Sequence, residues 1–220
     1  MLSRVALVVL TICVYLLLVE PQRQRTSRPV GRRPTPAPNR LLYGDINRLR
    51  PTGKRNGGVY ASNLTVSQHL PALQRKRHCY NSVANSNKLQ ASLIAAIASR
   101  ESSGGITINR TNGYGDRGRA YGIIQCDLRT SGLNCTKYRW DSCEHMQMMV
   151  SQLVVPYIQS VRRKFPRWTI DRTLQGGVAA FNFGVSNVRS WEGLDDGSTG
   201  NDYSNDVIAR AQWLHKRGWN

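Results

Sequence analysis

The chain predicts a mainly α fold, a helical domain with one small antiparallel β-sheet beside one of its helices. Three observations carry this. Residues 87–101, 144–165 and 202–217 repeat their apolar side chains at steps of three and four, the helical period. Only 107–127 breaks that habit, with glycines at 113, 115, 118 and 122 and an Asn112-Gly113 pair, which are hairpin signals between short apolar runs. From about residue 57 the composition becomes globular, and the roughly 160 residues that follow suit one domain with a real core, with no internal repeat.

In chain order, residues 5–19, VALVVLTICVYLLLV, form an apolar run behind Arg4. It is short for a bilayer span of about 20 residues and suits the apolar part of a signal peptide, residues 1–19. A single-pass anchor is the alternative, because no clean cleavage motif follows. Residues 20–56 are rich in Arg, Pro, Thr and Gly and read as a basic, disordered linker that adds nothing to the core. The catalytic body is expected at 57–220, secreted or anchored facing an oxidising compartment, and monomeric.

The first helix, in 87–101, carries the most informative residue. Leu89, Leu93, Ile94 and Ile97 mark its apolar face, and Glu101 follows Ile97 by four and Ile94 by seven, so it shares that face. Gly104-Gly105 then supply a stop. Apolar burial raises a carboxyl pKa, and the negative end of the helix dipole acts the same way. The result is a carboxylic acid still protonated near neutral pH and able to donate. The bland alternative is a helix-end Glu turned into water. The hairpin segment adds Asp116 after Gly115 and Asp127 after Gln125-Cys126. One protonatable Glu with one or two ionised Asp nearby is the minimum equipment for hydrolysing a glycosidic bond. Spacing alone leaves open that Asp116 is a turn residue paired to Arg117 or Arg119.

In 144–165, Met149, Leu153, Tyr157, Val161 and Phe165 recur at fours, which predicts a long core helix kinked at Pro156. Its methionines read as core filling. Residues 171–182 predict a helix running into Phe181-Asn182-Phe183-Gly184, and 202–217 a last helix with Asp202 near its start and Gly218 past its end.

The formal charge is +18, half of it in residues 1–58, so the body is basic in its own right. Such a chain seeks polyanions, and an anionic bacterial surface is the expected partner. No nucleic-acid motif or interleaving of aromatics with a basic patch is present, so nucleic acid is not expected. Cys79, Cys126, Cys135 and Cys143 give an even number in the body and are disulfide candidates in three possible pairings. His78-Cys79 and Cys143-Glu144-His145 raise a metal site as the rival, but neither matches a zinc spacing, and no metal or cofactor is expected. Cys126 lies in an apolar run and reads as bridged or buried rather than nucleophilic. Sequons stand at Asn63, Asn109 and Asn134.

Five ordered blocks resemble the goose-type lysozymes: SRES (99–102), GYGDRGRAYGIIQCD (113–127), KFPRW (164–168), LQGGVAAFNFGVSNVRSW (174–191) and NDYSNDVIARAQW (201–213). The resemblance covers roughly 57–219. It implies a lysozyme-like α+β fold and cleavage of the β-1,4 bond between N-acetylmuramic acid and N-acetylglucosamine in peptidoglycan, with inversion and without a metal. By position it implies that Glu101 is the general acid and that Asp116 and Asp127 position and activate the water. It also implies that Gln125, Phe181, Asn182, Gly184 and Tyr203 bind the saccharide. Two departures stand out. The family usually has Tyr-Asn-Ala-Gly where this chain has Phe181-Asn182-Phe183-Gly184, so a hydroxyl is lost and bulk is gained. The cysteines follow no family pattern. The rivals are a lytic transglycosylase, which shares the Glu but needs no water-activating carboxylate, and a non-catalytic cationic antimicrobial or wall binder.

Overall fold

In the computed structural model, residues 41–220 are described; the apolar run at 5–19 and the first part of the basic segment, to residue 40, lie outside them. Among the described residues, a short 3-10 turn at Ile46–Arg48 is followed by α1 (Gly58–Arg75), α2 (Arg77–Asn87) and α3 (Ala91–Ser102). A three-stranded antiparallel sheet follows, β1 (Tyr114–Gly115), β2 (Ala120–Tyr121) and β3 (Cys126–Asp127), in the order β1-β2-β3. Then come α4 (Cys143–Met149), α5 (Val155–Lys164), α6 (Ile170–Phe183) and α7 (Tyr203–His215). The mainly α class is as expected.

The central element is α3. Every residue from Ala91 to Ser99 is buried. A helix apolar on all sides belongs inside a bundle, and its alanines let α1, α2 and α7 approach closely. Leu89 stands outside the helix: Lys88 turns the backbone left-handed (φ 56°) and separates α2 from α3. A second, smaller core lies between α5 and α6, where Val161, Ala179 and Ala180 pack with Val188 and Leu194.

The expected kink at Pro156 takes a different form. Residues Val150–Val154 form a π-helical segment between α4 and α5. Pro156 has no N–H to donate one turn back, so the regular hydrogen-bond ladder cannot run through it. The irregularity falls just before the proline, as a π-bulge.

The expected boundary at residue 57 is corrected for residues 41–56. Ile46 is fully buried, Leu49 is nearly so, and both belong to the main core. Gln90 accepts from the Ile46 N–H at 2.9 Å, and the Gln212 amide donates to the carbonyls of Ile46 (2.8 Å) and Leu49 (2.9 Å). Averaging over a stretch rich in Arg and Pro hid two apolar anchors.

Two disulfides form, Cys79–Cys143 and Cys126–Cys135. The first joins α2 to the start of α4; the second closes the loop after β3. His78 lies beside Cys79 and Cys143, but the thiolates that a metal would need are bonded to each other. Among the described residues no helix is long and apolar enough to cross a membrane.

Candidate active site

Glu101 occupies the last turn of α3, and the residues on either side of it tie it to two different walls. Ser102 donates from Oγ to the Ile123 carbonyl at 2.7 Å, which holds the helix end against the β2–β3 turn. Arg100 donates to the Thr199 carbonyl at 2.8 Å. Thr199 in turn is locked to Asn182 at the end of α6: its N–H donates to Asn182 Oδ1 (2.8 Å), and Asn182 Nδ2 donates to its hydroxyl oxygen (3.1 Å). The catalytic candidate therefore sits where the sheet and the end of α6 converge.

The Glu101 carboxyl accepts a short hydrogen bond from the Tyr203 hydroxyl. Desolvation pushes its pKa up to about 7, against the opposing pull of the Tyr203 hydroxyl and the Arg100 charge. Arg100 is held elsewhere: it pairs with Asp202 at 2.9 Å and with Asp206, and its guanidinium lies over the Tyr203 ring. Asp206 is fully buried and also pairs with Arg210 at 2.7 Å, and Arg210 donates to Ser99 at 2.9 Å. Burial works against the ionised form of Asp206, but the Arg210 and Arg100 charges outweigh it and hold its pKa below the ordinary range. This network was missed in the sequence. Its signals were Asp206 and Arg210, four apart on one helix, and a cation directly before Glu101.

The opposite wall carries the aspartates. Gly115 pairs with Ala120 and Ala120 with Asp127, so these residues form one row across the sheet, and Asp116 follows directly after Gly115. Both carboxylates therefore lie toward one end of the sheet, with backbones about 10 Å apart. Asp127 Oδ1 accepts from the N–H groups of Arg129 and Thr130, both at 2.8 Å. Partial desolvation raises its pKa, but these hydrogen bonds and the Arg129 charge prevail and keep it below the usual carboxylate range. Asp116 is exposed at φ 43°. Ser103, Asp116, Arg117 and Gln125 all hold left-handed backbone without being glycine. Such conformations cost free energy and cluster where a site over-determines them.

A groove of about 390 Å³ runs between the walls, lined by Gln125, Asp127, Phe181, Asn182 and Gly184, with Tyr157 below. Five predicted site residues thus meet in one groove. Glu101 and Tyr203 are bonded to each other and do not line it; the link to it runs from Arg100 through Thr199 to Asn182. Asp116 does not line it. The expected saccharide contact at Tyr203 does not match its placement: it is buried, with its hydroxyl on Glu101, and does not line the groove. Asn182 has both side-chain amide atoms engaged with Thr199, and Phe181 both lines the groove and packs edge-on against Tyr157. Gln125 reaches back over β1: its amide donates to the Gly122 carbonyl at 2.7 Å, and its carbonyl lies where a Cβ on Gly115 would stand.

A carboxyl with a pKa of about 7, at a helix end bonded to the same elements that carry a groove with an ionised carboxylate, has the chemical make-up of a glycoside hydrolase. The chain belongs to the lysozyme g family, whose sequence model matches residues 43–218. It is 36% identical to the lysozyme g of Gallus gallus over 80% of this chain and 86% of the relative, and 37% identical to that of Takifugu rubripes over 79% and 96%. It is also 44% identical, over 81% of its length, to a "Glycine, glutamate and proline-rich protein" of Lottia gigantea, of which it spans 46%.

Proposed function

We propose that the protein is a secreted muramidase that hydrolyses the β-1,4 bond between N-acetylmuramic acid and N-acetylglucosamine in bacterial peptidoglycan with inversion, in defence against bacteria. Glu101 protonates the glycosidic oxygen as the anomeric C–O bond breaks. A water held by Asp127, with Asp116 as the second carboxylate, attacks the opposite face of the sugar and passes its proton to the carboxylate. Gln125, Phe181, Asn182 and Gly184 form the saccharide groove. The two disulfides support secretion, and the basic charge supports attraction to anionic walls.

The single observation that carries this reading is the Glu101 carboxyl, its pKa raised to about 7 by burial at the end of α3. Activity should accordingly fall as pH rises through about 7, because a deprotonated Glu101 cannot act as the acid. Lysis of a Gram-positive wall suspension by wild type and Glu101→Gln tests it. The variant should fold and lose about 100-fold or more of the activity; a loss within about threefold would sink the assignment. NMR of the first-formed product should show the α anomer. A β anomer would mean retention, and an anhydro end a transglycosylase.

A further inference from the structure

Three Asn-x-Ser/Thr motifs take no part in the groove, and the fold treats them differently. Asn63 lies in the middle of α1, half-buried, and its Oδ1 is shut off from solvent without a hydrogen-bond partner. A branched sugar on that amide would have to displace what covers it. Asn134 is exposed, but the central residue of its motif, Cys135, is buried and committed to the disulfide with Cys126. Asn109 differs from both. It is exposed at the start of the short 3-10 turn Asn109–Thr111, and its side-chain amide has no hydrogen bond among the described residues. The turn itself is anchored: the N–H groups of Thr111 (3.3 Å) and Gly113 (3.0 Å) both donate to the carbonyl of Ile108, which is buried.

The surface beside Asn109 is the second observation. Asn109 lines a cavity of about 430 Å³ with Ile106, Trp140, Arg75, Lys76 and Asp141. Ile106 is 51% exposed, a large apolar side chain left in water. Trp140 is half-buried and held against two glycines: a Cβ at Gly105 would stand 3.1 Å from its ring, and one at Gly113 would stand 2.2 Å from its Cβ. Its carbonyl also accepts from the Ile123 N–H at 3.1 Å, so the ring is a fixed platform. Lys76 and Asp141 pair at 2.9 Å, and Arg75 is exposed and in no ion pair among the described residues. An apolar floor with a few polar groups around it suits a pyranose, which has an apolar C–H face and a belt of hydroxyls.

We infer that Asn109 carries an N-linked glycan whose first sugar covers Ile106 and Trp140 and whose hydroxyls meet Arg75, Lys76 and Asp141. In the transfer, Asn109 Nδ2 forms the C–N bond to the anomeric carbon of N-acetylglucosamine. The anomeric C–O bond to the diphosphate of a lipid-linked oligosaccharide donor breaks, and the amide proton leaves with the lipid diphosphate. The inference rests on the secretion proposed above and not on the hydrolase chemistry.

The test is made on the full chain expressed in a secreting animal cell line. Peptides treated with a glycan-removing amidase in heavy-oxygen water convert each occupied Asn to labelled Asp, read by mass. Asn109 should be labelled and Asn63 should not. Melts of an Asn134→Gln chain then read Asn109 alone. The intact glycan and a glycan trimmed to its single first sugar should give the same midpoint. Adding Asn109→Gln should lower it by about 2–4 °C. Ile106→Ser should cut that difference by about half or more, as expected for groups in contact. An unlabelled Asn109, label at Asn63 instead, or a midpoint unmoved by Asn109→Gln would overturn the inference. The cell fraction separates the two readings. A bare Asn109 on chain in the medium refutes the glycan and leaves secretion standing; bare chain retained in the cells refutes both; a labelled Asn109 on chain held at the membrane supports the glycan and refutes secretion.

Discussion

Glu101 owes its acidity to a balance among its neighbours. Burial favours the neutral carboxyl, whereas the Tyr203 hydroxyl and the Arg100 charge favour the carboxylate, and the balance falls at about 7. Asp202 and Asp206 decide how much Arg100 contributes, because they hold its guanidinium in their own pairs. The same balance acts on stability. A folded pKa of about 7 against an ordinary 4.5 means that the unfolded chain gives up its proton first. The contribution of Glu101 to stability is therefore complete below about 4.5 and lost as pH rises toward and through 7. Glutamine cannot ionise and escapes that loss. Glu101→Gln should match wild type in urea unfolding at pH 4 and exceed it at pH 8 by roughly 2–3 kcal/mol. Equal stabilities at pH 8 would mean that the carboxyl is not desolvated in solution.

At the scale of elements, what shapes the groove is the close contact of α5 with α6, whose C-terminal end supplies Phe181 to Gly184. Gly177 makes that contact possible: a Cβ there would stand 2.5 Å from the Ile158 Cα and 2.8 Å from its nitrogen. Backbone cannot give way as a side-chain tip can. Gly177→Ala should therefore cost about 3 kcal/mol, the upper end of overpacking penalties, despite alanine's better helix propensity. Thermal melts check this, and a Tm at or above the wild-type value would show that the two helices separate freely. The sheet works differently. Its strands are two residues long, and the short turns between them set the direction of Asp116, Gln125 and Asp127.

For the whole molecule, the folded body begins before residue 57. Ile46 and Leu49 fill the core under α7, and Asp45 donates its N–H to Asp171 at 2.7 Å while Arg55 donates its own to Asp202 at 2.7 Å. The last of these bonds places the segment one residue pair away from Arg100. A chain beginning at residue 57 should lose about 3–6 kcal/mol relative to one beginning at 41, from two buried aliphatic side chains at about 1.5–3 kcal/mol each. Comparing their denaturation midpoints tests this; coincident midpoints would restore the linker reading of 41–56.

The sequence by itself determined the helical class, the small sheet at 107–127 and the place of Glu101 at the end of an apolar face, because periodicity and glycine spacing are local properties. It also placed Asn182 and Gly184 at the close of a helix. Only the tertiary structure decided what surrounds them. The Cys79–Cys143 and Cys126–Cys135 pairings depend on which of three chain closures the packing permits. Tyr203 reads as a cleft residue in the sequence and becomes the partner of the Glu101 carboxyl once α7 packs on α3, 102 positions away in the chain. Ile46 and Leu49 look like part of a basic tail until the core shows the space that they fill. In each case the deciding contact joins residues far apart in sequence, and no local pattern encodes a contact whose free energy comes from burial against a distant element.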